Sequence, residues 1–124
     1  MPATDRQFAE TYDALRKILK PFEPRLLVQH DKPGSYYLDT RTKAPNGQPM
    51  FFGAVRLGSK YVSFHLMPVY VTPALLDAIS PALRRRMQGK SCFNFTKPDY
   101  ALFRELEELT RAGFADFEAA GRLG

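Results

Sequence analysis

The stretch MFFGAVRLGSKYVSFHLM, residues 50–67, decides the fold of this 124-residue chain. Two β-prone runs in it flank Gly58 and Ser59, a two-residue connection with glycine first that suits a type II′ hairpin turn. Counting outward from that turn predicts that Val55 lies opposite Val62 in the hairpin. We therefore expect a central antiparallel pair of strands, around which the rest of the sheet is built.

Alternation along these strands predicts two faces of different character. The apolar face, expected to pack on the core, carries Phe51, Gly53, Val55, Val62, Phe64 and Leu66. The other face mixes aromatic, small and polar groups, and it carries Phe52, Ala54, Arg56, Tyr61, Ser63 and His65. If another part of the chain partly covers this second face, it could line a ligand groove.

Elements before the hairpin are also marked in the sequence. A capping box of Thr4 and Gln7 and an apolar stripe at helical spacing predict a first helix, which Pro21 stops. The Pro33-Gly34 pair separates two further β-prone runs and predicts a second hairpin. Four breaker residues between Thr42 and Pro49 predict the longest loop.

After the hairpin, Thr72-Pro73 and Ser80-Pro81 each place an N-cap residue before a proline, and so predict two short helices. Gly89 is expected to end the second of them. A last strand follows at residues 91–95, and a long helix begins near Pro98. The order predicts an α+β fold, with a mainly antiparallel sheet of about five strands and the N-terminal and C-terminal helices packed on one face.

Length and composition predict one domain spanning residues 1–124, because 44% hydrophobic and 25% charged residues are ordinary for a globular chain. No apolar run approaches the roughly 20 residues needed to cross a bilayer, and the first residues lack an export pattern. We therefore expect a cytoplasmic protein with no membrane partner. The single cysteine, Cys92, cannot form an intrachain disulfide.

The net charge of +5 suits an anionic partner, but lysine and arginine are spread along most of the chain. The densest run, Arg84-Arg85-Arg86, is typical of a solvated helical face. This distribution argues against a nucleic-acid partner.

Motifs for catalysis are absent: the sequence has no phosphate-binding glycine loop, nucleophile elbow, HExxH motif or cysteine pair. No cofactor is therefore implied, and no catalytic or metal-ligating residue is assigned. Acid–base chemistry by His65 with Tyr61 or Ser63 stays an alternative, and His30 with His65 could bind a metal only from adjacent strands.

Ten phenylalanines and six tyrosines exceed what one core face holds, so some rings should line a groove, a dimer interface or the underside of a loop.

Several segments resemble the YdhG-like family of small bacterial proteins of unknown function. They are Phe52-Gly53-Ala54, Lys60-Tyr61-Val62, residues 72–76 and Gly89-Lys90-Ser91 followed by Phe93 and Phe95. The resemblance implies a sheet backed by helices that is likened to the frataxin fold, and an iron-handling role proposed for some members. It also picks out Lys90 and Ser91, which could hold a phosphate or carboxylate unless Gly89 and Lys90 only cap a helix.

The sequence thus favours a non-catalytic binding module that holds a small anionic ligand, or a second copy of the chain, on the polar-aromatic sheet face. Arg56 would pair with the anion and His65 would hydrogen-bond to the ligand, while Phe52 and Tyr61 would stack on it. The alternatives are an iron-handling protein and an enzyme that uses His65.

Overall fold

The computed structural model describes residues 5–43, 47 and 49–123. Its four α-helices are α1 (Asp5–Leu19), α2 (Met67–Val71), α3 (Pro81–Arg84) and α4 (Tyr100–Ala119). Its strands are β1 (Leu27–Lys32), β2 (Ser35–Lys43), β3 (Pro49–Leu57), β4 (Val62–Leu66), β5 (Met87–Gln88) and β6 (Cys92–Phe95). Two 3-10 helices occupy Lys20–Arg25 and Pro73–Ala78. None of the helices described is long and apolar enough to span a membrane.

The strands form one antiparallel sheet in the order β1-β2-β3-β4-β6-β5. The predicted α+β class and antiparallel sheet are confirmed, and the short strand β5 brings the count to six. The Pro33-Gly34 turn joins β1 to β2 as expected, and Gly34 has the positive φ (83°) that suits glycine at such a turn.

Helices α1 and α4 pack together on one face of the sheet, as predicted. The core between the two layers is aliphatic and aromatic, and Leu15, Phe64, Phe93 and Leu106 in it are fully buried. Burying each such side chain stabilises the fold by about 1.5–3 kcal/mol. The capping residue Thr4 lies outside the described residues, but the apolar stripe of α1 is confirmed by buried Leu15 and Leu19.

The turn between β3 and β4 lies one residue later than predicted. The amide of Gly58 donates to the carbonyl of Tyr61 at 3.0 Å, so Ser59 and Lys60 form the tip. Val55 consequently pairs with Phe64 rather than Val62. Because every partner moves by two residues, each side chain of β4 stays on the face that alternation gave it.

A β-bulge in β3 overturns the prediction for Phe52. Leu38 of β2 pairs with Gly53, whereas the next residue, Asp39, pairs with Phe51, which leaves Phe52 as an extra residue. The bulge turns Phe52 into the core together with Gly53. Phe51 moves in turn to the face that carries no helix, where its ring contacts Tyr37. The two phenylalanines have thus exchanged their predicted faces.

The segment between β4 and β6 differs from prediction in its second helix. Ser80 caps α3 through its hydroxyl, which accepts from the amide of Leu83 at 3.1 Å, but the helix ends at Arg84. Gly89 lies instead in the turn between β5 and β6, with a φ of 76°. Neither Gly89 nor Lys90 therefore caps a helix. At the predicted loop, β2 reaches Lys43 and β3 begins at Pro49, and residues 44–46 and 48 lie outside the described residues.

Candidate functional site

The sheet face that carries no α-helix, called the open face here, holds a groove of about 770 Å³ over strands β1 to β4. Its volume lies within the range of about 300–1,000 Å³ that is typical of small-molecule sites. Side chains that define the groove are His30, Lys32, Tyr37, Phe51, Ala54, Arg56 and His65. Pairing across the sheet explains their meeting, because Tyr37 lies opposite Ala54 and Ala54 lies opposite His65.

Three rings form a cluster along one side of the groove. The ring centroid of Tyr37 lies 4.8 Å from that of Phe51 and 5.7 Å from that of His30. Burial, together with the charge of Asp39, raises the pKa of Tyr37, so its phenol stays protonated and can donate a hydrogen bond. The cluster offers aromatic surface next to Ala54, whose small side chain leaves room at the floor of the groove.

Four basic side chains line the groove. His30, Lys32, Arg56 and His65 line it, and no aspartate or glutamate does so among the described residues. Arg56 and Lys32 are exposed and form no ion pair within the part of the chain that is described. A ligand carboxylate or phosphate would therefore find donors here that no protein carboxylate already occupies.

His65 lies at the centre of the open face and is half-buried. Burial lowers its pKa, and the positive charge of Arg56 lowers it further, so the ring favours the neutral form. Its Nε2 lies 3.9 Å from Sγ of Cys92 on the neighbouring strand. Burial raises the pKa of that thiol, so Cys92 favours the protonated form and not the reactive thiolate.

Beyond His65 the open face continues as a chain of side-chain hydrogen bonds. The hydroxyl of Ser63 donates to Oδ1 of Asn94 at 2.9 Å, and Nδ2 of Asn94 donates to Oε1 of Gln88 at 2.7 Å. The phenol of Tyr61 reaches the same oxygen of Gln88 at 3.3 Å. Ser63 and Tyr61 are thus held in place, and they line a second groove beside the first.

The residues predicted for the site from the sequence separate into four groups. Arg56 and His65 line the main groove, as proposed for a ligand site, and Tyr61 and Ser63 lie next to it. Phe52 lies elsewhere: it is 0% exposed, and its ring packs edge-on against Phe117 in the core at 5.9 Å. Phe52 therefore cannot stack on a ligand, and Phe51 occupies its predicted position on the open face.

Lys90 and Ser91 are remote from the groove. The ammonium of Lys90 lies 5.9 Å from the ring centroid of Tyr70 and lines a separate pocket near Pro73. The carbonyl of Ser91 accepts from the amide of Leu66 at 3.0 Å and so continues the sheet ladder. These two residues do not join the other predicted site residues.

Sequence reasoning missed His30, Lys32, Tyr37 and Phe51 as members of the groove. The first three belong to the hairpin of β1 and β2, and only its pairing with β3 brings them beside Arg56. Alternation along β2 points the side chain of Tyr37 away from that of the buried Tyr36, which is a usable signal once the pairing of β2 with β3 is known.

One carboxylate, Asp39 of β2, lies on the open face without lining the groove. It is 6% exposed, and burial raises its pKa although a hydrogen bond from Gln29 and the nearby His30 act in the opposite direction. Among the described residues, no three histidine, cysteine, aspartate or glutamate side chains lie close enough together to hold a metal ion.

No family model, curated protein or solved structure matches this chain. The resemblance to the YdhG-like family stays a prediction.

Proposed function

We propose that this protein is a binding module for a small organic anion that carries a planar ring, and that the groove of the open face is its site. The observation that carries the proposal is that one groove combines an aromatic cluster with basic side chains, while no described acidic residue lines it. The rings of Tyr37 and Phe51 would hold the planar part of the ligand, and Arg56 would hold its charge.

Lys32 and His65 also favour an anionic ligand, and they lie on strands to either side of Arg56. Lys32 is an exposed ammonium at the end of β1, and it attracts an anion without fixing its orientation. His65 is half-buried, and as a neutral imidazole it can hydrogen-bond to the ligand. An anion bound next to His65 would raise its pKa and so be held more tightly as the pH falls.

Titration with phenyl phosphate, followed by calorimetry and by NMR shifts of Tyr37 and Phe51, tests the proposal. Inorganic phosphate and phenol are the matched controls, and each should bind more weakly because each has only half of the recognised chemistry. Arg56→Ala should weaken binding of phenyl phosphate about tenfold or more, since it removes a charge-assisted hydrogen bond.

Arg111→Ala is the control variant, because Arg111 is exposed on α4, on the helical side of the sheet, and pairs with Glu108. It should bind phenyl phosphate like the wild type. Equal loss in the two variants, or equal binding of phenyl phosphate and inorganic phosphate, would contradict the proposal. Self-association through the open face, iron handling and a reaction that uses His65 stay predictions that no observation on the described residues favours.

A further inference from the structure

The groove continues along the open face beyond the proposed small-molecule site. A second groove of about 330 Å³ shares Arg56 with it, and a third of about 360 Å³ shares Tyr61 with the second. The three grooves are therefore neighbours across the open face, from Lys32, at the end of β1, to Arg86, just before β5. We call the three together the basic trough.

Positive charge collects in the basic trough although it is spread along the sequence. The trough is lined by five lysines and arginines, which are Lys32, Arg56, Lys60, Arg85 and Arg86. None of the thirteen acidic residues of the chain lines it, and the five cations form no ion pair within the described residues. The acid that shares this face, Asp39, is buried.

On the helices, by contrast, lysine and arginine side chains do form ion pairs. Lys17 pairs with Asp13 at 3.0 Å on α1, and Arg111 pairs with Glu108 at 2.7 Å on α4. The side of the sheet that carries the helices is thus partly neutralised, while the open face keeps its charge. An anionic partner that approaches the protein is attracted to the trough.

Aromatic rings accompany the charges along the trough. Tyr37 and Phe51 line the same groove as Lys32, and Tyr61 lines the same groove as Arg85 and Arg86. Repeated negative charge and repeated planar rings are combined in one kind of partner, a nucleic-acid strand. We infer that the basic trough binds single-stranded nucleic acid, with a base on the Tyr37–Phe51 cluster and phosphates on the five cations.

This inference rests on the proposed function, because the main groove would hold one base and one phosphate of the strand. A single strand fits better than a duplex because the rings lie in a trough across a sheet, where only unstacked bases can reach them. Six strands spaced about 4.8 Å apart make the trough about 24 Å long. Such a length suits the lower end of the site sizes of about 4–16 nucleotides known for single-strand binding folds.

Fluorescence anisotropy tests the inference with labelled oligo-dT and oligo-rU of about 12 nucleotides, a duplex of the same length and a polyglutamate peptide of equal charge. We expect both single strands to bind more tightly than the duplex or the peptide. With up to five phosphates neutralised, binding should weaken as much as about 100-fold between about 50 and 200 mM salt. Tighter binding of oligo-rU than of oligo-dT would identify RNA as the preferred source.

The double variant R85A/R86A separates this inference from the proposed function. It should weaken oligonucleotide binding about tenfold or more and reduce the salt dependence, yet bind phenyl phosphate like the wild type. The control K17A/R111A makes the same change in net charge on the helical side, and it should leave oligonucleotide binding within about twofold. Tyr61→Ala should weaken oligonucleotide binding about fivefold or more through lost stacking.

Three outcomes would overturn the inference. The first is no binding of either single strand at about 100 μM protein in low salt. The second is equal affinity for duplex, peptide and single strand, which would reduce the trough to a non-specific electrostatic surface. The third is an equal loss in R85A/R86A and K17A/R111A. If phenyl phosphate binds while the oligonucleotides do not, the proposed function stands and only this inference fails.

Discussion

Gly113 of α4 lies directly against Pro68 in the first turn of α2. A Cβ atom at Gly113 would stand 2.8 Å from Cβ of Pro68, closer than real Cβ atoms approach such a neighbour, and a tight 3.1 Å from Cγ of the same proline. The same Cβ would lie 3.9 Å from Cδ2 of Leu66, at the end of β4. The missing side chain therefore lets α4 continue past α2 as one helix of 20 residues.

Gly113→Ala should destabilise the protein by about 1–3 kcal/mol, because the added methyl group overpacks the contact with Pro68. In an exposed helix the same change stabilises by about 1 kcal/mol, so the sign itself is informative. Urea unfolding measures the difference.

Ala112→Gly is the control, since Ala112 is the exposed neighbour in α4. It should cost about 1 kcal/mol through helix propensity alone. If Gly113→Ala proved as stable as the wild type or more so, the close approach of α2 and α4 would be refuted.

Phe51 and Phe52 should respond differently to truncation. Phe52→Ala should cost about 3–5 kcal/mol of unfolding free energy, because it empties a buried site between Phe114 and Phe117. Phe51→Ala should cost about 1 kcal/mol and should instead weaken binding of phenyl phosphate. Urea unfolding and calorimetry of both variants compare the two effects. The reverse order of stabilities would contradict the burial of Phe52 and the partial exposure of Phe51 that the bulge in β3 produces.

These two residues also mark the limit of what the sequence could predict. Strict alternation assigned Phe51 to the core and Phe52 to the open face, and on β4 the same rule was right for Phe64 and His65. A bulge adds one residue to the strand and so shifts the alternation by one position. Because the two neighbouring residues are both phenylalanine, their local preferences are the same and do not indicate where the bulge lies. The elements themselves could be predicted, because turns such as Pro33-Gly34 and caps such as Ser80 act locally.

Gly89 and the site residues show a second limit, which is pairing between distant segments. The glycine has the positive φ expected of a helix C-cap or of a turn, and only the pairing of β5 with β6 distinguishes the two uses. Arg56 and His65 were predicted as site residues because they lie in one hairpin. Lys32 and Tyr37 could not be added, since nothing in the sequence states that β2 borders β3.

His65 should make the stability of the protein depend on pH. Its pKa in the folded state lies below the ordinary value of about 6.5, so the unfolded chain binds the proton more readily. The free energy of unfolding should therefore fall as the pH is lowered through that value. The decrease between about pH 7.5 and 5 should be smaller in His65→Gln, measured by urea unfolding at both pH values.

His30→Gln is the companion variant, because His30 is exposed at the edge of the same groove. It should retain the pH dependence that His65→Gln reduces. An identical pH dependence in the wild type and in His65→Gln would show that burial does not disfavour the charged ring.

Ala54 gives the open face a property that is useful for protein engineering. It lies at the floor of the groove between Tyr37 and His65, and its side chain points away from the layer of helices. Exchange of this one methyl group for a series of larger side chains would make the groove shallower in steps while the hydrophobic core stays unchanged. Substitution at this one position thus changes the size of ligand that fits without changing the core that folds the protein. A small library at Ala54 could yield variants that select anions by the size of their rings.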